Sequence, residues 1–244
     1  MSTIVFLHGG GMGGWVWTDI AEALRAEGHR VFTPTFTGFG ERSHLIGRDV
    51  THDVHVTDIV NLLKFENLTD VVLVAFSYGG SVAPGVVAQA GDRIARAIYL
   101  DGIVPLAGKS VGEAMGFMSS EEVTGLNTML ESGEGPVGTG VDQMQREAVK
   151  EKPYKIAPER QEWLLGNMSD MPMRGMVSPV TTGGDAIDKP VDYLAVPGDV
   201  MDPLQHDRAR ELGWNVETLS ADLDHAFIAG DPSHVLDFLR SRLA

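Results

Sequence analysis

The chain contains no cysteine. That excludes disulfides, thiolate nucleophiles and cysteine-ligated metals. Basic residues are also scarce: 19 Lys and Arg stand against 34 Asp and Glu, for a formal net charge of -15. No basic surface can release phosphate counterions, so a nucleic-acid partner is not expected. The acidity serves solubility instead. Long apolar runs are missing near the start, where Ile4 to Leu7 is the first and no basic leader precedes it. That run reads as a strand and not as a signal peptide or membrane span. The expectation is a soluble, cytoplasmic protein without a membrane partner. No internal repeat or linker divides the sequence. With 244 residues, 43% of them hydrophobic, residues 1–244 suit a single domain with one sizeable core.

What is present is an alternation. Short apolar strands are predicted at 4–7, 30–34, 71–75, 97–100, 191–196 and 215–219. Helical spacing of apolar residues marks 20–27, 54–65, 80–90, 207–212 and 232–242. This rhythm predicts an α/β fold with a mostly parallel central sheet and helices on both faces. The rhythm breaks between about 106 and 189, where glycines and methionines scatter among short amphipathic stretches at 112–119, 141–149 and 158–166. That region is expected to form a helical lid insertion over the sheet edge. Methionine fills irregular apolar space there.

In parallel sheets ligands bind beyond the carboxyl ends of the strands. His8, Ser77 and Asp101 all fall at such ends. Ser77 lies in Ala75-Phe76-Ser77-Tyr78-Gly79, between a strand and a helix. A serine hydroxyl needs a base, and the base needs an orienting acid. A sharp strand-to-helix turn lifts the serine above the sheet and aims the next helix N-terminus at a developing oxyanion. Such a turn favours small residues two before and two after the serine; Gly79 provides one and Ala75 the other. Ala75 is tolerated there unless the position needs a positive φ.

His225, in the loop after the last strand, is the candidate base. His206 and His234 fit surface positions on helices. Three carboxylates end strands: Asp101, Asp199 and Asp202. The latter two precede His225 in the order Ser, Asp, His. The Gly9-Gly10-Gly11 loop lets backbone approach the serine, so the N–H groups of Gly10 and Tyr78 are the candidate oxyanion donors. That loop lacks the lysine and serine of a nucleotide-binding loop, and Trp15 and Trp17 separate it from a helix. His52 and His55, with Asp53 and Asp58, have no third partner at metal-ligand spacing and read as a capped helix start. No cofactor or metal is called for.

The stretches FLHGGGMGGWVW, TPTFTGFGERSH, VVLVAFSYGG, YLDGIVP and DHAFIAGDP resemble the α/β-hydrolase superfamily. They are most similar to the branch of small bacterial esterases, pyrethroid-hydrolase-like enzymes, plant methylesterases and hydroxynitrile lyases. The resemblance implies Ser77 as nucleophile, His225 as base, and the Gly10 and Tyr78 amides as oxyanion donors. It favours Asp199 as the acid, with Asp202 as the alternative, and gives Asp101 a structural role. Hydroxynitrile lyases of this branch carry a threonine and a lysine where this chain has Gly9 and Ala226, which argues against lyase activity.

The reading is a serine hydrolase that cleaves a carboxylic ester of a small, largely apolar substrate through an acyl-enzyme intermediate. Trp15, Phe76, Phe117, Met118 and Trp163 are the expected pocket walls. The alternatives are a lactone or C–C bond hydrolase with the same triad, and a non-catalytic ligand-binding member of the fold. Oligomeric state is left open.

Overall fold

The computed structural model describes residues 1–243. Among them, six strands form one sheet: β1 (Thr3–Leu7), β2 (Arg30–Phe32), β3 (Val71–Phe76), β4 (Ile94–Leu100), β5 (Val191–Ala195) and β6 (Asn215–Thr218). All neighbours pair in parallel, in the order β2-β1-β3-β4-β5-β6. Ten α-helices among the described residues surround the sheet: α1 (Thr18–Ala26), α2 (His52–Phe65), α3 (Tyr78–Ala90), α4 (Val111–Ala114), α5 (Ser120–Glu131), α6 (Val141–Glu151), α7 (Pro158–Asn167), α8 (Met173–Val177), α9 (Leu204–Glu211) and α10 (Ser233–Leu243).

Strand alternation divides the core in two. Ile4, Phe6, Val72 and Val74 point to one face and pack with Ile20, Leu24, Leu236 and Leu239 of α1 and α10. Val5, Leu7, Val71 and Leu73 point to the other and pack with Val56, Ile59, Leu63, Val82 and Val86 of α2 and α3. Because both faces are covered, the central strands read as continuous apolar runs. Residue side alone decides which core each joins.

The chain runs from β1 outward to β2, then back across to β3 and on to β4. The loops after β1 and β3 therefore diverge, which opens a crevice at the carboxyl edge of these two strands. Leu7 pairs with Ala75 and Phe76 with Leu100. This register brings His8, Ser77 and Asp101 to one edge of the sheet.

The segment between β4 and β5 is more helical than its sequence suggests. Helix α5 and the short α8 were not expected. Helix α4 stops at Ala114, short of the expected 112–119. Helices α5 and α8 share a small core of Val123, Leu130, Met173 and Val177. Both α4 and α5 start with a capping box: Ser110 with Glu113, and Ser119 with Glu122. No helix among the described residues is long and apolar enough to cross a membrane.

Candidate active site

Ser77 has φ 50° and ψ -120°, a conformation that costs energy for a residue with a Cβ and marks a sharp turn. Ala75 does not share it: it is a strand residue outside the positive-φ set. The small residues matter for space. A Cβ on Gly79 would lie 2.7 Å from the Leu7 carbonyl oxygen, and one on Gly80 would lie 2.7 Å from the Ile103 nitrogen. The Ser77 carbonyl accepts from Ile103 N–H at 2.9 Å and from Gly80 N–H at 3.0 Å. These contacts fix the turn against both neighbouring loops.

The Ser77 hydroxyl donates to His225 Nε2 at 2.9 Å, and His225 Nδ1 donates to Asp101 Oδ2 at 2.6 Å. His225 begins a short 3-10 turn after β6, and Asp101 directly follows β4 with φ 46°. The imidazole stacks on Phe76 at 4.7 Å between ring centroids. Asp101 is fully buried. Burial pushes its carboxyl pKa up, but hydrogen bonds from His206 and His225, with help from the His225 charge and the Val196 N–H, hold it below the ordinary carboxylate range.

This geometry corrects the expected partner of His225. The Asp199 carboxylate does not meet the imidazole. Its Oδ2 accepts from the His225 backbone N–H, and its Oδ1 accepts from Val200 N–H at 2.8 Å. Asp199 thus anchors the histidine's loop. Asp202 is also turned elsewhere: Oδ2 accepts from Gly198 N–H at 2.8 Å, and Oδ1 lies 3.2 Å from His206 Nδ1. Asp101, expected to be only structural, takes the place beside the ring. His206, expected at the surface, is 1% exposed and donates from Nε2 to Asp101 Oδ1 at 2.8 Å. His234 is exposed on α10.

The loop after β1 is held by His8. Its Nδ1 donates to the Gly9 carbonyl at 2.8 Å, and its Nε2 accepts from Phe36 N–H at 3.0 Å. Burial pulls the His8 pKa down to about 4 against that Gly9 bond, so the ring stays neutral in this role. Gly10 and Tyr78 both face the cavity beside Ser77. Tyr78 opens α3, so its N–H lies among the first amides of the helix, which have no intrahelical acceptor. The buried Tyr78 hydroxyl donates to His55 Nδ1 at 2.7 Å, while His55 Nε2 donates to the Thr37 carbonyl at 3.0 Å. His52 Nε2 donates to Ser81 Oγ at 3.2 Å. Thr51 makes no side-chain cap on α2. The histidines expected merely to start that helix instead tie it to the turn after Ser77. Among the described residues, no group of three or more His, Asp or Glu side chains could hold a metal ion.

A cavity of about 190 Å³ opens over Ser77 and His225. Six methionines line it: Met12, Met115, Met168, Met171, Met176 and Met201. Phe117 does as well and is 60% exposed at its rim. The other expected walls lie elsewhere. Phe76 is fully buried beneath His225. Trp15 and Trp163 meet edge to face at 5.1 Å, with Arg160 over Trp163. Met118 packs against the small α5–α8 core. Gln145 and Tyr154 line one wall, with the tyrosine hydroxyl donating to the amide oxygen.

The sequence pattern of the alpha/beta hydrolase family matches residues 4–237. The chain belongs to that family. Among curated proteins, the carbendazim hydrolyzing esterase of Nocardioides sp. (strain SG-4G) is 46% identical over 111 residues, which is 46% of this chain and 46% of that protein. The match thus spans less than half of that relative's length. An extracellular alpha/beta-hydrolase from a Paenibacillus species superposes with a TM-score of 0.77 at 22% identity, covering 99% of this chain and 98% of that one. A methylesterase from Arabidopsis superposes with a TM-score of 0.75 at 21% identity, covering 100% of this chain and 99% of that one. These two likenesses are to the hydrolase fold.

Within this alpha/beta hydrolase, Gly9 occupies a crowded position. A Cβ there would lie 2.9 Å from the Phe76 ring and 3.1 Å from Ser77 Cβ. A threonine would push on the ring that supports His225. The residues that sequence reasoning missed are Asp101, as the partner of His225, and His206. A signal for the first was present, since Asp101 ends a strand next to the serine strand. None was available for the second.

Proposed function

We propose that this alpha/beta hydrolase cleaves a carboxylic ester of a small, largely apolar substrate, with Ser77 as nucleophile, His225 as base and Asp101 as the orienting acid. The observation that carries this reading is the unbroken line Ser77 Oγ, His225 Nε2, His225 Nδ1 and Asp101 Oδ2, with steps of 2.9 and 2.6 Å, at the floor of a methionine-lined cavity. The name of the Nocardioides relative, an esterase, supports the same bond class.

His225 takes the Ser77 proton as the hydroxyl attacks the ester carbonyl. The Gly10 and Tyr78 N–H groups receive the oxyanion. The imidazolium, held against Asp101, then protonates the leaving alcohol. In the second half, His225 activates water to release the acid and restore Ser77. The segment between β4 and β5 acts as the lid, because Met115, Phe117, Met168 and Met176 from it enclose the site. Their apolar surfaces suit an alkyl or aryl group on either side of the ester.

A fluorophosphonate label and a panel of aryl, alkyl and lactone esters test the reading. Labelling of Ser77 and turnover of simple esters are expected, and both are lost in Ser77→Ala. A protein that neither labels nor turns over any ester sinks the proposal. Turnover confined to lactones or to C–C bond substrates replaces the bond class while keeping the site.

A further inference from the structure

We propose that His206 is a positioning residue for this site: its Nε2–H fixes the Asp101 carboxylate, so that a second imidazole stands behind the one that meets Ser77. The inference rests on the reading of Asp101 as the orienting acid.

Asp101 carries its two oxygens in different roles. Oδ2 receives His225 Nδ1–H at 2.6 Å. Oδ1 receives His206 Nε2–H at 2.8 Å and Val196 N–H at 3.1 Å. A carboxylate rotates about its Cβ–Cγ bond unless both oxygens are held. With Oδ1 fixed from behind, Oδ2 presents one lone pair to His225. The side chains of Asp101 and His206 are 0% and 2% exposed, so bulk water does not replace a lost donor. A buried oxygen left with too few partners costs more than the bond itself is worth.

His206 is held as firmly as the group it holds. It lies on α9 beside Gln205, whose Oε1 accepts from Val104 N–H at 2.9 Å and whose Nε2 donates to the Ala114 carbonyl at 2.9 Å. These bonds stitch α9 to the segment after β4. The edge of the His206 ring meets Tyr193, with centroids 5.7 Å apart. Asp202 Oδ1 faces Nδ1 at 3.2 Å. A histidine serving only to fill space would not need both ring nitrogens directed at carboxylates. The order Ser77, His225, Asp101, His206, Asp202 is a continuous polar line from the cavity floor to a side chain that is 31% exposed.

The test is the rate of fluorophosphonate labelling, which needs no knowledge of the natural substrate. His206→Phe keeps ring volume and removes the donor; its labelling is expected to slow by about 10- to 100-fold, the scale of one lost hydrogen bond to a charged group. His206→Gln places an amide N–H where Nε2–H stood and is expected to restore most of the rate. Wild-type labelling in the Phe variant, or equal slowing in both variants, overturns the proposal. Ser77→Ala and Asp101→Asn run beside them. Slow labelling in Asp101→Asn with a fast His206→Phe removes the positioning role and leaves the acid in place. Fast labelling in Asp101→Asn removes both. If the Phe variant does not fold, nitrogen NMR of histidine-labelled wild-type protein decides. A protonated His206 Nε2 supports the proposal, and a bare one overturns it.

Discussion

Asp101 and Asp199 end neighbouring strands and yet receive different hydrogens from the same histidine. Asp101 takes the ring Nδ1–H, and Asp199 takes the backbone N–H. Their substitutions should therefore separate. Asp101→Asn is expected to lower kcat by about 10⁴-fold, the loss found when a histidine is left in the wrong tautomer. Asp199→Ala removes the bonds to the His225 and Val200 N–H groups without touching the ring, and is expected to cost about 10- to 100-fold, well short of the Asp101 variant. Steady-state kinetics on one active ester measures both, and the reverse ranking defeats the assignment to Asp101. Spacing along the chain cannot distinguish these carboxylates, because both lie at the carboxyl edge of the sheet. The choice is made by where the loop after β6 lays the imidazole, which is a long-range outcome. The places of Ser77 at a strand-end turn and of His225 in a late loop were legible, because the elements on either side of them are marked by the spacing of their apolar residues. Ala75 raised a question of backbone conformation, and its place inside β3 answers it.

At the scale of elements, the strands and the helices that flank them were legible from periodicity, since buried faces impose it. Helix α5 was not. It holds Thr124, Gly125, Asn127 and Thr128, which are weak helix formers, and it buries only Val123 and Leu130. Its start was nonetheless written in the sequence as Ser119-x-x-Glu122, and that of α4 as Ser110-x-x-Glu113. Each pair satisfies two otherwise free amides. The Glu113 carboxyl is held down to about 2, first by the Ser110 N–H and then by the Ser120 hydroxyl. Ser110→Ala is expected to destabilise the protein by about 1 kcal/mol in urea denaturation. An unchanged midpoint would show that α4 is held by its neighbours alone.

For the whole molecule, the parallel sheet with two covered faces followed from the alternation of elements. The internal histidines did not, because nothing in their sequence neighbourhood signals burial. Burial pulls His8 and His52 down to about 4 and His55 to about 3. Each ring titrates near 6.5 in the unfolded chain. Between that value and the folded one, the unfolded state binds more protons, so stability rises with pH. Their contribution is complete above 6.5 and is lost as pH falls towards 4. The urea midpoint is expected to drop between pH 7.5 and pH 5. A midpoint that rises over that interval would show relief of the acidic surface outweighing the buried rings.

The methionine lining has a chemical consequence of its own. A chain with no thiol has its most oxidisable atoms in thioethers, and six of them surround Ser77. Conversion to sulfoxides would put polar, chiral oxygens into an apolar cavity. Peroxide that reaches these sulfurs should thus impair turnover. Mass spectrometry separates oxygens added to these largely buried thioethers from those added to the exposed Met129 and Met144, and loss of turnover is expected to follow only the former.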